Sequence, residues 1–184
     1  LKNEFVSVMI VNFDAQNSRR IFTSVNRHAK PTDKTTNLLM DDNDILAVIN
    51  NKIVVQGIIG EDNILMTSSN TLNGKNGKFT TLSTTYEIVK EIIVHNVGKK
   101  INTTVLPDKN IRNNYEMIVR DLFEELIKIE HYANSINGDE QLRNHNVQEY
   151  ICCKPIVQRA IAKAIIHMRS AADKNSSIPT FDEI

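Results

Sequence analysis

The chain has 184 residues, and its 22 Lys+Arg balance 22 Asp+Glu for a formal net charge of zero. That balance excludes a uniformly basic nucleic-acid coat protein and an acidic-tail protein, but leaves room for a local basic face. Hydrophobic residues make up 41% and aromatics 5%, with no Trp, so the core is expected to be aliphatic, in one domain or one plus a small second.

Residues 4–12, Glu4-Phe-Val-Ser-Val-Met-Ile-Val-Asn12, are β-branched and aromatic-rich and predict a buried strand. Asp14 is the expected N-cap of a helix with Ser18, Ile21, Phe22 and Val25 on one face, and Pro31 ends that unit. The acidic group Asp41-Asp42-Asn43-Asp44 opens a second helix with Ile45, Leu46, Ile49 and Ile53 inward, closed by Gly57 and Gly60. Residues 61–79 read as loop, with turns at Asn73-Gly74 and Asn76-Gly77 and a short strand or core anchor at Ile64-Leu65-Met66.

Thr80 or Thr81 caps the next helix, with Leu82, Tyr86, Val89, Ile93 and Val97 spaced by three and four. Pro107-Asp108 begins a unit whose strongest pattern predicts one helix over 111–136. Its stripe is Tyr115, Ile118, Leu122, Leu126, Ile129 and Ala133, widened by Val119, Phe123 and Ile136, and Asn137-Gly138 stops it. A short segment, Leu142 to Cys153, leads to Pro155, which suits the first turn of a final helix. There Val157, Ile161, Ala164, Ile165, Met168 and Ala172 are expected to face inward.

The expected fold class is mainly α (α+β). A lone strand leaves its ladder groups unpaired, and the chain opens Leu1-Lys2-Asn3 without Met, so it is read as part of a longer protein. No apolar run approaches the roughly 20 residues of a membrane span, and adjacent Cys152 and Cys153 read as free thiols of a reducing cytoplasm.

Two basic clusters stand out from the neutral total. Arg19, Arg20, Arg27, Lys30 and Lys34, with His28, face Asp33 alone; they fit a phosphate-contacting edge or a solvated helix end. Arg159, Lys163 and His167 recur at i, i+4, i+8, with Lys154, Arg169 and Lys174 nearby. They read as a basic stripe opposite the apolar one, fit for a DNA backbone or groove, or as ordinary solvated surface. Asp41, Asp42 and Asp44 lack the glycine and glutamate of a calcium loop, so capping is the better reading. The run Asn73-Gly-Lys-Asn-Gly-Lys78 fits an anion cradle less well than a turn, and no histidine has metal-ligand spacing. No nucleophile, base and oxyanion hole come together in the pattern.

More specific is the series Phe5-Val-Ser-Val-Met-Ile, Arg19-Arg20-Ile-Phe-Thr-Ser-Val-Asn26, Ala29-Lys30-Pro31-Thr32 and Leu38-Leu39-Met40-Asp41-Asp42-Asn43-Asp44. With Phe79-Thr-Thr-Leu-Ser-Thr-Thr-Tyr-Glu87, it resembles the DGQHR-domain proteins, and among them the DndB-type regulators of DNA phosphorothioate (sulfur) modification. The resemblance covers roughly residues 5–95, and the DGQHR motif itself is absent from the chain.

The resemblance implies the edge of a ParB/sulfiredoxin-like α/β core over 1–60, with a strand, a basic helix and an acidic-capped helix. A helical C-terminal region over 61–184 follows. It also implies a DNA-binding transcriptional regulator. Of the ParB phosphate-contacting box, Val25-Asn26-Arg27-His28-Ala29 keeps the Asn, with Arg27 and Lys30 as substitute cations; a helix C-cap is the alternative role for Asn26.

The expected phosphate-binding set is thus Arg19, Arg20, Asn26, Arg27, Lys30, Lys34, Arg159 and Lys163, with no catalytic residue, metal or cofactor. DNA is the expected partner, with a nucleotide, other modification-system proteins and a second copy as further candidates. Two rival readings are a ParB-like nucleotide hydrolase and a helical protein-interaction module.

Overall fold

The computed structural model describes residues 14, 18, 21, 41–98 and 106–174. The expected strand over 4–12 and the Pro31 stop lie outside them. Of the first helix, Ser18 and Ile21 are helical, and the Ser18 N–H donates to the Asp14 carbonyl at 2.9 Å, as expected for an N-cap at Asp14. Ile21 is exposed, not inward as its spacing implied.

Asp44 caps α1 (Ile45–Ile49), its Oδ1 accepting from Leu46 N at 2.9 Å and Ala47 N at 3.5 Å. The helix then widens into a π-helical stretch, Asn50–Ile58, where the Ile59 N–H reaches back five residues to Val54 O. The pattern of Ile45, Leu46, Ile49 and Ile53 predicts an ordinary helix there. The physical difference lies in Ile53, Val54 and Val55, three consecutive buried side chains. Such a run is broader than one α-helical face. Gly57 lies inside the stretch, and only Gly60 stands beyond its end, with φ +85°.

After a 3₁₀ turn at Glu61–Asn63, β1 (Ile64–Leu65) pairs in parallel with β2 (Thr80–Thr81), Ile64 opposite Thr80 and Leu65 opposite Thr81. The sequence foresaw the first strand as one option and gave the second only a capping role. Thr81 does both: it ends β2 and caps α2 (Leu82–Val97), accepting from Thr84 N at 3.2 Å. Gly98 closes α2 with φ +63°, the left-handed C-cap geometry that a Cβ disfavours.

The single helix expected over 111–136 is two. α3 runs Lys109–Leu126 and α4 runs Glu130–Asn137. Ile129 between them is extended, at φ −58° and ψ 126°. The break has no Gly or Pro to mark it; tertiary contacts set it. The turn delivers Tyr132 into the core, edge-on to Phe79 with ring centroids 5.1 Å apart, its hydroxyl donating to Cys152 O at 2.7 Å. A straight helix would follow the local pattern, and these contacts override it. Gly138 does end α4, as expected.

The segment before Pro155 contains a helix that the pattern did not foresee, α5 (Glu140–Glu149), capped by Asp139 Oδ1 on Leu142 N at 2.8 Å, and a 3₁₀ turn at Ile151–Cys153. α6 (Pro155–Lys174) then starts at Pro155. Its buried face is Pro155, Gln158, Ala162, Ile165 and Ile166, while Ala164 and Met168 are exposed, against expectation. The difference comes from Gln158, which the apolar pattern skips. It is buried and donates to Phe79 O at 3.0 Å and Cys153 O at 3.1 Å, rotating the helix toward β2.

α2 is the hub. It packs on α6, α3, α1 and the π-helical stretch, and one aliphatic core runs from Ile45 to Ile166. The described chain is mostly helical with one small parallel sheet, in agreement with the mainly α (α+β) expectation. No described helix is long and apolar enough to cross a membrane.

Candidate nucleic-acid interface

The first basic cluster, Arg19, Arg20, Asn26, Arg27, Lys30 and Lys34, lies outside the described residues. The second is on α6, and its position differs from the expected one. Arg159, Lys163 and His167 do not stand opposite the apolar face; they flank it, beside α2. Arg159 Nη2 lies 2.9 Å from Glu91 Oε1 and 3.4 Å from Glu87 Oε2. Lys163 Nζ is 3.9 Å from Glu91 Oε2. His167 packs edge-on against His95 of α2, ring centroids 5.0 Å apart, and His95 Nε2 shares a hydrogen bond with Ser170 Oγ. The helix–helix packing causes this: with Gln158 turned inward, the neighbouring Arg159 and, one turn on, Lys163 lie over the α2 glutamates.

These ion pairs are partly solvated. The Arg159 side chain is 39% exposed and that of Lys163 is 55% exposed. Pairs of this kind hold each other by about 1 kcal/mol or less and weaken with salt. Lys154, His167 and Arg169 are exposed as well. Arg159 and Lys163 thus sit one turn apart on a solvent-facing flank of α6, restrained by Glu87 and Glu91.

Asp41 and Asp44 of the acidic group serve structure. Asp44 caps α1, and Asp41 Oδ1 accepts from Asn43 N at 3.1 Å. The glycine run is a turn, and it is fastened rather than free. Asn73 N donates to Asn76 Oδ1 at 2.9 Å, Gly77 N to Asn144 Oδ1 at 2.8 Å, and Gln148 Nε2 to Gly74 O at 2.9 Å. Gly77 has φ +63°, and a Cβ there would sit 3.0 Å from Glu140 Cδ.

One cluster was not readable from spacing. His131 of α4 stacks on Tyr150 with ring centroids 3.7 Å apart and planes 16° from parallel. His145 of α5 stands edge-on to the same tyrosine at 6.2 Å. They line an open cleft of about 460 Å³ between α4 and α5. The two cysteines, Cys152 and Cys153, are both free thiols, as expected. Burial, with the neighbouring Cys152, pushes the Cys153 thiol up to about 12, against a weaker opposing hydrogen bond from Ser135. Burial also raises the Tyr132 phenol above its ordinary range.

A mainly helical protein with a cationic helix flank is a class that fits many nucleic-acid-associated roles. The family described as DndB, DNA-sulfur modification-associated, matches residues 1–180, and the chain belongs to that family. No curated protein and no solved structure matches the chain.

Proposed function

We propose that the chain is a non-enzymatic, DNA-binding transcriptional regulator of the DNA sulfur modification system. Its phosphate contacts come from Arg19, Arg20, Asn26, Arg27, Lys30 and Lys34, and from Arg159 and Lys163. The observation that carries this reading is the cation row on α6 of a chain in a DNA-sulfur-modification family. Lys and Arg contacts to phosphates supply affinity and register, with little sequence choice. The glutamate partners of Arg159 and Lys163 are weak enough for a phosphate to displace.

Fluorescence anisotropy with duplex DNA at stepped salt tests it. The expected result is a linear fall of log K with log salt, with a slope near 0.9 per phosphate neutralised. Lys163→Ala should flatten that slope by about 1, and a combined Arg19→Ala, Arg20→Ala, Lys30→Ala variant by more. A wild-type protein with no salt dependence overturns the reading. A reporter behind a modification-gene promoter then tests the regulatory part, by a change in output when the protein is supplied.

A second reading, a helical module docking on other proteins of the system, is favoured by Ile151 and Ile156, each 70% exposed. In this reading the two exposed aliphatics belong to its docking surface. Ile151→Asp and Ile156→Asp should abolish co-purification with modification-system proteins and leave DNA affinity unchanged.

A further inference from the structure

The cleft between α4 and α5 has a chemistry of its own. Its lining holds an aromatic cluster: His131 lies flat on Tyr150, and His145 stands perpendicular to the tyrosine. Its rim is amide. Asn134 and Asn137 are exposed, and no described residue takes up their side chains. Leu142 adds an apolar wall, and Glu130 is the one carboxylate among the lining residues. No Lys or Arg lines it, so the cleft does not suit a phosphate. Among the described residues no group of three His, Cys, Asp or Glu could hold a metal.

Flat rings and neutral donor–acceptor amides in one cleft suit a planar, uncharged, hydrogen-bonding heterocycle. Nucleobases have that character: a π-face that stacks on Tyr or His, and an edge that carries donors and acceptors together. An Asn amide presents one acceptor and two donors, which matches such an edge. About 460 Å³ lies within the range of small-ligand pockets.

The cleft is also held in shape. Asn146 donates to Ser135 Oγ at 2.8 Å, and Ser135 donates to His131 O at 2.6 Å, joining α5 to α4. Arg143, buried, donates from Nη1 to Gly138 O at 2.7 Å and from Nε to Gly77 O at 2.6 Å. At Gly138 a Cβ would lie 2.6 Å from both Asn134 O and Leu142 Cδ2, so the two helices meet closely there. A fixed cleft loses less entropy on binding than a mobile one.

We propose that this cleft binds a nucleobase, stacked on the His131–Tyr150 pair and read at its edge by Asn134 and Asn137. The proposal rests on the nucleic-acid reading above. The base comes either from single-stranded or opened DNA or from a free nucleotide, and the experiment separates these sources.

The probe is 2-aminopurine, offered to the full chain as the free deoxyribonucleotide and within a single-stranded oligonucleotide. Stacking on an aromatic ring should quench its fluorescence. Tyr150→Ala should weaken the quenching interaction by about tenfold or more, and Tyr150→Trp should retain it. Asn134→Ala, at an exposed site, should weaken it severalfold. Quenching of the oligonucleotide alone assigns the base to a strand; quenching of the nucleotide as well assigns it to a free ligand. No quenching of either probe by the wild type, or quenching that both Tyr150→Ala and Asn134→Ala leave unchanged, overturns the proposal. Salt-dependent duplex binding by those same variants shows that the backbone reading stands even where the cleft reading falls.

Discussion

The Tyr86 hydroxyl donates to Asp44 Oδ2 at 2.8 Å, while the other oxygen of Asp44 caps the first turn of α1. One carboxylate thus starts one helix and ties it to the next across 42 positions of sequence. Burial, then the hydrogen bond to Asp44, hold the Tyr86 phenol above its ordinary range.

Asp44→Ala should therefore cost more than a cap alone. The cap contributes about 1 kcal/mol, and the abandoned tyrosine hydroxyl adds ~1 kcal/mol or more. Tyr86→Phe should cost ~0.5–1.5 kcal/mol. Urea unfolding of both single variants and the double variant should give a coupling energy clearly above zero. Strict additivity would mean that the bond contributes nothing.

Much of this arrangement was legible in the chain. Asp44, Thr81, Asn137-Gly138 and Pro155 mark helix ends because their local chemistry is decisive: side-chain oxygens accept orphan N–H groups, and proline suits a first turn. What local chemistry did not determine, spacing misjudged. The break at Ile129 depends on where Tyr132 finds Phe79 and the Cys152 carbonyl, residues far away in sequence. The face of α6 depends on Gln158, a polar residue buried because two carbonyls receive it. Within the candidate sites, Arg159 and Lys163 were visible as cations, but their glutamate partners on α2 were not. His131, His145 and Tyr150 share no single helical face. They meet only after α4 and α5 pack and the extended Tyr150 returns across them.

Arg143 is the fastening between that cleft and the glycine turn. It is buried, and it donates to main-chain carbonyls at Gly77, Gly138 and, at 3.5 Å, Ser135. Arg143→Ala would leave carbonyls unpaired in a buried place, at ~2–4 kcal/mol of stability. The 73–78 turn should loosen first, because Gly77 O loses its bond. Limited trypsin digestion reads this directly: cleavage after exposed Lys75 should accelerate severalfold before the rest of the chain is cut.

Alkaline pH should destabilise the fold, and Cys153 should lead. Its ordinary value is 9.0, and burial raises it to about 12 in the native state. Between those values the unfolded thiol has lost its proton while the native one keeps it. The native state then binds more protons, so stability falls as pH rises. The contribution is complete below pH 9 and is lost as pH climbs toward 12. Each proton of difference steepens the fall by about 1.4 kcal/mol per pH unit. Tyr86 and Tyr132, both raised from 10.0, join from that pH upward. Cys153→Ala should flatten the stability profile chiefly between pH 9 and 10, where the thiol acts before the phenols. Denaturant midpoints at half-unit pH steps check it, and an identical slope in the variant would count against the assignment.

The α2 glutamates give the sharpest separation of roles on α6. Glu91 contacts both Arg159 and Lys163, at 2.9 and 3.9 Å. If the two cations contact DNA phosphates, Glu91 competes with the DNA for them. Glu91→Gln removes the competing charge and leaves a side chain of the same size. Duplex affinity at low salt should then rise about threefold to tenfold, since each exposed pair restrains its cation by about 1 kcal/mol or less. The salt dependence should steepen with it. Fold stability should change by less than about 1 kcal/mol, because the pairs are partly solvated. A purely structural role for the pairs predicts the reverse: a measurable loss of stability with DNA affinity unmoved. Anisotropy and urea unfolding of the same preparation therefore distinguish a cation held ready for phosphate from one that only pins α6 to α2.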